Sequence, residues 1–108
     1  METPILARAD FTRDAGCRLR KMILMLGLRQ TEAAALMGVS KHVLRNWLAG
    51  EHPINPYALY RLCRLKGVDF NYVYLGDWSQ LPRRLSAALE DEAIARLGAE
   101  TAPERQEA

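Results

Sequence analysis

The chain has 108 residues, of which 49% are hydrophobic, and a formal net charge of +2. This length is typical of one small domain, and no apolar run approaches the length that spans a membrane. The N-terminal sequence lacks the features of a secretory signal, so we expect a cytoplasmic protein. Cys17 and Cys63 are too few and too far apart for a metal-binding motif. We expect two reduced, partly buried thiols.

The small net charge hides an uneven distribution along the chain. Residues 11–66 carry ten Lys and Arg against three acidic residues, a net of +7. Residues 67–108 carry four Arg against eight acidic residues, a net of −4. A basic segment of this kind favours a polyanionic partner such as nucleic acid.

The first predicted helix follows a short N-terminal arm. Residues 1–10 include Pro4 and show no sustained periodicity, so we expect a flexible arm there. A first helix is predicted over about residues 13–26, with Thr12 as its N-cap and Gly27 as its C-cap. Its apolar residues at helical spacing should face the core: Phe11, Ala15, Leu19, Met22, Ile23 and Leu26.

Two short helices are predicted next, over about residues 30–37 and 41–49. Gly38 between them can adopt positive φ without a Cβ clash, so the second helix can end there and the chain can reverse. Ser40 then offers a hydroxyl as N-cap of the third helix. Small or apolar residues on both sides of the turn should hold the pair together: Ala33, Ala34, Met37, Val39, Leu44 and Trp47. This pattern is typical of a helix-turn-helix, whose second helix enters a DNA groove.

The remaining periodic segments are also helical. A fourth helix over about residues 56–66 starts after the N-cap Asn55 and should bury Leu59, Leu62 and Cys63. Asp69 should cap a short fifth helix that ends near Leu75. A further helix is predicted over about residues 82–97, with one apolar stripe formed by Leu81, Leu85, Ala88 and Leu89. No segment alternates like a strand, so the predicted fold class is all-α.

The predicted elements divide the chain into four parts. The flexible arm covers residues 1–10, and a helix-turn-helix DNA-binding domain covers residues 11–76. Residues 77–97 form a linker and the C-terminal helix, which could mediate dimerisation or pack on its own subunit. Residues 98–108 are rich in Ala and Glu and should be disordered.

Residues 13–76, about six-tenths of the chain, resemble the lambda-repressor/Cro-like helix-turn-helix domain. The residues that carry the resemblance are Gly27-Leu28, Gln30, Ala34, Gly38-Val39-Ser40, Leu44, Trp47, Gly50, Pro53, Gly67-Val68 and Tyr74-Leu75-Gly76. The resemblance implies a five-helix bundle that binds operator DNA, commonly as a dimer. The predicted helix over residues 82–97 would be an addition to that bundle.

The chain departs from the family pattern in two places. Arg29 stands where the family usually has Thr or Ser, which removes a neutral cap and adds a cation near the DNA backbone. Ile23 and Leu48 stand where the family commonly pairs Arg with Glu. Because a hydrophobic contact can match or exceed a buried ion pair in stability, we expect these two residues to pack together.

Four polar residues of the third helix are the candidate base contacts. Lys41 can donate to guanine O6 or N7, and His42 donates or accepts according to its protonation. Arg45 suits guanine or phosphate, and Asn46 suits adenine, although only one of these two need reach a base edge. For each of the four, the alternative is an ordinary exposed helix residue.

The candidate phosphate contacts surround this helix. By resemblance, Gln30 holds a phosphate with its amide and the N-terminal N–H groups of the second helix; the alternative is a solvated glutamine. Ser40 could contact DNA as well as cap its helix, and His52 could approach a phosphate or stay solvated. Further candidates, with a solvated charged face as the alternative, are Arg29, Arg18 and Lys21.

The aromatic residues are expected to serve packing. Trp47 lies on the inner face of the third helix, so core packing is favoured over stacking on bases. The four tyrosines should complete the small core or its rim: Tyr57, Tyr60, Tyr72 and Tyr74.

The resulting hypothesis is a sequence-specific, double-stranded DNA-binding transcription regulator, a bacterial or phage repressor acting as a homodimer and needing no cofactor or metal. The alternative is an antitoxin-type module that neutralises a protein partner and also binds its own promoter. An enzyme is disfavoured because the two histidines have no ligand or triad partners at recognisable spacing and the chain has no Gly-rich phosphate loop. The adjacent acids Glu90, Asp91 and Glu92 suit a solvated helix.

Overall fold

The computed structural model describes residues 5–89, and within them the chain forms helices and no strand. The all-α fold class is therefore confirmed. Five helices are complete: α1 (Arg8–Met25), α2 (Gln30–Met37), α3 (Lys41–Leu48), α4 (Pro56–Lys66) and α5 (Phe70–Leu75). Residues 83–89 are also helical, and we call this segment α6. The predicted tail, residues 1–4 of the arm and residues 90–97 of the C-terminal helix lie outside the described residues.

Helix α1 begins earlier than predicted. It starts at Arg8 after the N-cap Ala7, so residues 8–10 of the predicted arm are helical. The prediction of Thr12 as N-cap was wrong, since Thr12 is buried inside the helix. The additional turn is supported by a tertiary contact, because the ring of Phe11 stacks on that of Tyr74 with centroids 5.8 Å apart.

The turn between α2 and α3 has the predicted geometry. Gly38 follows α2 in the left-handed region with φ 77°, which a residue with a Cβ rarely adopts. The hydroxyl of Ser40 accepts a hydrogen bond from the N–H of Val43 at 3.1 Å, so Ser40 is the N-cap of α3. Both local predictions are confirmed.

The helices enclose a single core. α1 packs against α3 and α5, and α2 packs against α3 and α4. The largest fully buried side chains are Leu19, Met22, Met37, Leu44, Leu59, Leu62 and Val73. Trp47 is only 6% exposed, which confirms its predicted packing role, whereas Phe11 and Leu26 of the predicted α1 stripe are only half-buried.

Helix α6 and the residues just before it belong to the same core. Leu81, Leu85 and Leu89 are buried within it, whereas Ala88, which was predicted on the same stripe, is exposed. The three leucines of the described part therefore pack within their own subunit.

Two arginines close helix ends elsewhere in the bundle. The Nε of Arg18 donates to the carbonyl of Val73 at 2.8 Å, and its Nη2 donates to the carbonyl of Tyr74 at 3.1 Å. The Nε of Arg61 donates to the carbonyl of Leu36 at 2.9 Å. Carbonyls in the last turn of a helix have no intrahelical partner, so these bonds satisfy the C-terminal ends of α5 and α2.

Several predicted burials were wrong. Tyr57 and Tyr60 are exposed and stack on each other with ring centroids 5.9 Å apart, because both lie on the face of α4 opposite its buried leucines. Tyr72 is buried and Tyr74 half-buried, as predicted. Of the two thiols, Cys17 is exposed. Cys63 is buried, and its burial raises its pKa to about 12.

Candidate nucleic-acid interface

Helix α3 is anchored along one side only. Leu44, Trp47 and Leu48 are buried beneath it, at the i, i+3, i+4 spacing that places side chains on one helix face. The Ser40 cap fixes its first turn. The opposite face of α3 is consequently directed away from the core.

The predicted base-contacting residues occupy that outer face. Lys41, His42 and Arg45 are exposed, and Asn46 is half-buried. Within residues 5–89, the side chains of these four residues form no hydrogen bond or ion pair. Their donors and acceptors are therefore available to an external partner in the geometry that α3 imposes.

The N-terminus of α2 carries the predicted phosphate-contacting residues. Arg29 occupies the N-cap position with its side chain exposed, and Gln30 is the first residue of the helix. The helix N-terminus favours an anion, because its first N–H groups lack intrahelical acceptors and the helix dipole is positive there. The arrangement can hold a phosphate from the main chain and from both side chains.

Sequence reasoning missed Glu32, which already occupies part of this helix end. One of its carboxylate oxygens accepts a hydrogen bond from the backbone N–H of Arg29 at 2.8 Å and lies 3.6 Å from the Arg29 Nε. That backbone hydrogen bond, together with the nearby guanidinium, lowers the pKa of Glu32. The spacing of Glu three residues after the N-cap was the available signal. The site thus contains its own carboxylate next to the predicted phosphate position.

The other predicted phosphate contacts differ in their surroundings. Ser40 uses its hydroxyl oxygen as an acceptor in the cap and retains a proton that it can donate. His52 is exposed in the loop between α3 and α4. Arg18 was also a candidate, but its guanidinium is bonded to the end of α5. Lys21 is half-buried on α1.

Ile23 and Leu48, which the sequence predicts to pack together, both lie close to the N-terminus of α2. Both are buried in the core, and both line a small depression beside the N-terminus of α2 that Gln30 also borders. The apolar pair therefore lies beside the predicted phosphate site, where the related family pattern has charged residues.

An apolar residue that the sequence did not single out also lies at the surface of α3. Val43 is 37% exposed. It borders an open groove of about 500 Å³ whose lining includes Val39, Tyr57 and Arg61. The groove follows the side of α3 that faces α4.

The described part of the chain offers little for other kinds of site. Residues 5–89 contain no group of three His, Cys, Asp or Glu side chains placed to hold a metal ion. None of the helices in this part combines the length and apolar character needed to cross a membrane.

Comparison with known proteins agrees with this geometry. A helix-turn-helix family model matches residues 19–73, which include α2, α3 and α4 complete. No match was found among curated proteins. The matched region covers about half of the chain and contains the exposed face of α3. The chain belongs to the lambda-repressor/Cro-like helix-turn-helix family of DNA-binding regulators.

Proposed function

We propose that the protein is a sequence-specific regulator that binds double-stranded DNA as a repressor, with α3 in the major groove. The observation that supports this most strongly is the outer face of α3, where Lys41, His42, Arg45 and Asn46 have no intramolecular partner within residues 5–89. An α-helix with side chains is about as wide as the major groove, at roughly 10–12 Å. The face can therefore approach base edges while its buried side holds it in place.

Two groups of contacts would have separate roles in this complex. Gln30 and Arg29, with the N–H groups of α2, would hold a phosphate and set the position of the protein on the duplex. Ser40 and His52 would add backbone contacts. The polar residues of α3 would then discriminate bases, with Lys41 and Arg45 suited to guanine and Asn46 suited to adenine.

We further propose that two copies bind together. A single module makes few base contacts, and regulators of this type reach specific affinity by placing two recognition helices on half-sites one helical turn apart. The burial of Leu81, Leu85 and Leu89 argues against a dimer formed through these side chains. A two-fold symmetric binding sequence would establish the pairing directly.

The test is a selection of bound sequences from random duplex DNA, followed by affinity measurements at one stated salt concentration. K41A or R45A should weaken cognate binding by about 1–3 kcal/mol and relax the preference at one base position. Q30A should weaken binding to cognate DNA and to scrambled DNA equally. R84A, which removes an exposed cation of α6, is the control for net charge. Equal losses on both DNAs for every α3 variant would refute these roles.

One observation favours the antitoxin-type alternative. An apolar groove of about 700 Å³ lies between the N-terminal segment and α5, and Ile5, Leu6 and Leu75 are exposed there. Such a patch suits a protein partner, and it uses none of the residues of α2 or α3. Stable co-purification with a native partner, lost in L75E but retained in K41A, would support this function.

A further inference from the structure

Core packing does not explain why residue 43 of α3 is an apolar valine. It is 37% exposed, whereas the other apolar residues of α3 are buried: Leu44, Trp47 and Leu48. α3 advances about 100° per residue, so Val43 and Arg45 lie on opposite sides of the outward line that runs from His42 to Asn46. Val43 is thus part of the face that we assign to DNA, and it is the only apolar side chain exposed there within α3.

The position of Val43 is well defined. Its backbone N–H donates to the hydroxyl of Ser40 at 3.1 Å, which holds it in the first turn of α3. A β-branched side chain in a helix has one strongly preferred χ1 rotamer. The two methyl groups of Val43 are therefore presented in a fixed direction, at the end of the helix that enters the major groove most deeply.

The major groove offers one apolar partner for such a side chain. Base edges there present hydrogen-bond donors and acceptors, and the C5-methyl of thymine is the sole apolar group. Lys41 and Arg45 lie across the outward line from Val43, and their positive charge favours a DNA partner for the exposed face of α3. The open groove beside Val43, bordered by Val39 and Tyr57, leaves its methyl groups accessible.

We propose that Val43 selects thymine at one position of each half-site by packing against its C5-methyl group. This inference rests on the proposed DNA-binding function and adds a specificity-determining residue to it. The contact supplies information that the polar residues of α3 cannot, since a lysine or an asparagine does not distinguish thymine by its methyl group.

The experiment removes the methyl group from the DNA. Each thymine of the selected sequence is replaced in turn by uracil, which keeps every hydrogen-bonding group and lacks only the C5-methyl. Affinities are measured for the wild-type protein, V43A and L65A. V43A keeps a good helix former and opens no cavity, since the side chain is exposed. L65A truncates another exposed aliphatic residue, on α4, as the matched control.

One thymine-to-uracil replacement per half-site should weaken wild-type and L65A binding by about three- to sixfold, the factor for burial of one methyl-sized group. V43A changes both subunits of the proposed dimer, so it should bind the thymine sequence more weakly by about the square of that factor and be insensitive to that replacement. The proposal is overturned if no replacement affects the wild-type protein, or if V43A remains as sensitive as the wild type. Failure of the selection to yield any preferred sequence would instead overturn the proposed function, and this inference with it.

Discussion

Gly16 of α1 lies directly against the backbone carbonyl of Trp47 in α3. A Cβ on residue 16 would overlap the Trp47 oxygen and come within 3.3 Å of the Leu48 carbonyl oxygen. The two helices can cross this closely only because residue 16 has no side chain. Since Trp47 is in the last turn of α3, this crossing sets how the proposed base-contacting face is held against the core through α1.

The first prediction is that G16A destabilises the protein. In an ordinary helix interior, Gly-to-Ala stabilises by about 1 kcal/mol, because alanine is the better helix former. Here the new methyl group meets backbone that cannot move aside cheaply, so we expect the free energy of unfolding to fall by about 1–3 kcal/mol. Urea denaturation measures the change. A variant as stable as the wild type, or more stable, would show that α1 and α3 are further apart than described.

The second prediction separates Arg18 from the DNA contacts. R18M removes two hydrogen bonds to the carbonyls of Val73 and Tyr74 and keeps most of the aliphatic stem, so stability should fall by about 1–3 kcal/mol. DNA affinity at a temperature where both proteins are folded should change no more than it does for R84A. Thermal unfolding and DNA titration provide the two readouts. A marked loss of affinity with unchanged stability would restore Arg18 as a phosphate contact.

The third prediction concerns the carboxylate at the N-terminus of α2. E32Q removes a negative charge beside the proposed phosphate position and keeps an oxygen that can accept from the Arg29 N–H. Affinity should rise for cognate and scrambled DNA alike, by about two- to fivefold, the range for one charge near a helix end. D69N is the matched control, because it makes the same change at the N-cap of α5.

The pH dependence of stability gives the same residue a second test. The pKa of Glu32 is lowered in the folded state, so its ionised form contributes stability above the unfolded pKa, and this contribution is lost as pH falls through the folded pKa. Below pH of about 4.5, E32Q should therefore lose less stability than the wild type. If the two proteins lose stability identically as the pH falls, and E32Q binds DNA with unchanged affinity, the role given to Glu32 is contradicted.

The features that sequence predicted correctly depend on local chemistry. The positive φ of Gly38 and the Ser40 cap involve residues within a few positions of each other, and both signals are visible in the sequence. The start of α1 depends instead on Phe11 stacking on Tyr74, which is distant in sequence. The same holds for Arg18, whose bonds to the end of α5 join residues 55 and 56 positions apart.

The candidate site, like the fold, was predicted only in part. The periodicity of α3 separates buried Leu44 and Trp47 from exposed Lys41 and Arg45, so its outer face could be identified. The exposure of Val43 could not be predicted, because an apolar residue next to a buried stripe is expected to be buried with that stripe. Whether it does depends on how close α4 lies, and that distance is set by packing of the whole bundle.

The last prediction concerns Ile23 and Leu48, the apolar pair beside the N-terminus of α2. I23R alone places an unpaired charge in a buried position and should destabilise the protein by about 3–5 kcal/mol. L48E alone should have a similar cost. The double variant, which restores the charge pair common in the family, should recover part of this loss, because each charge gains a partner.

The recovered pair should still be less stable than Ile23 with Leu48, since a buried ion pair often gives up about 1–4 kcal/mol relative to well-packed hydrophobic residues. Urea denaturation of the four proteins forms a double-mutant cycle whose interaction term measures the coupling. A term near zero would mean that the two side chains do not face each other across α1 and α3. Because both line the same depression, a coupling well above 1 kcal/mol is expected instead, in the range that the cycle gives for residues in contact.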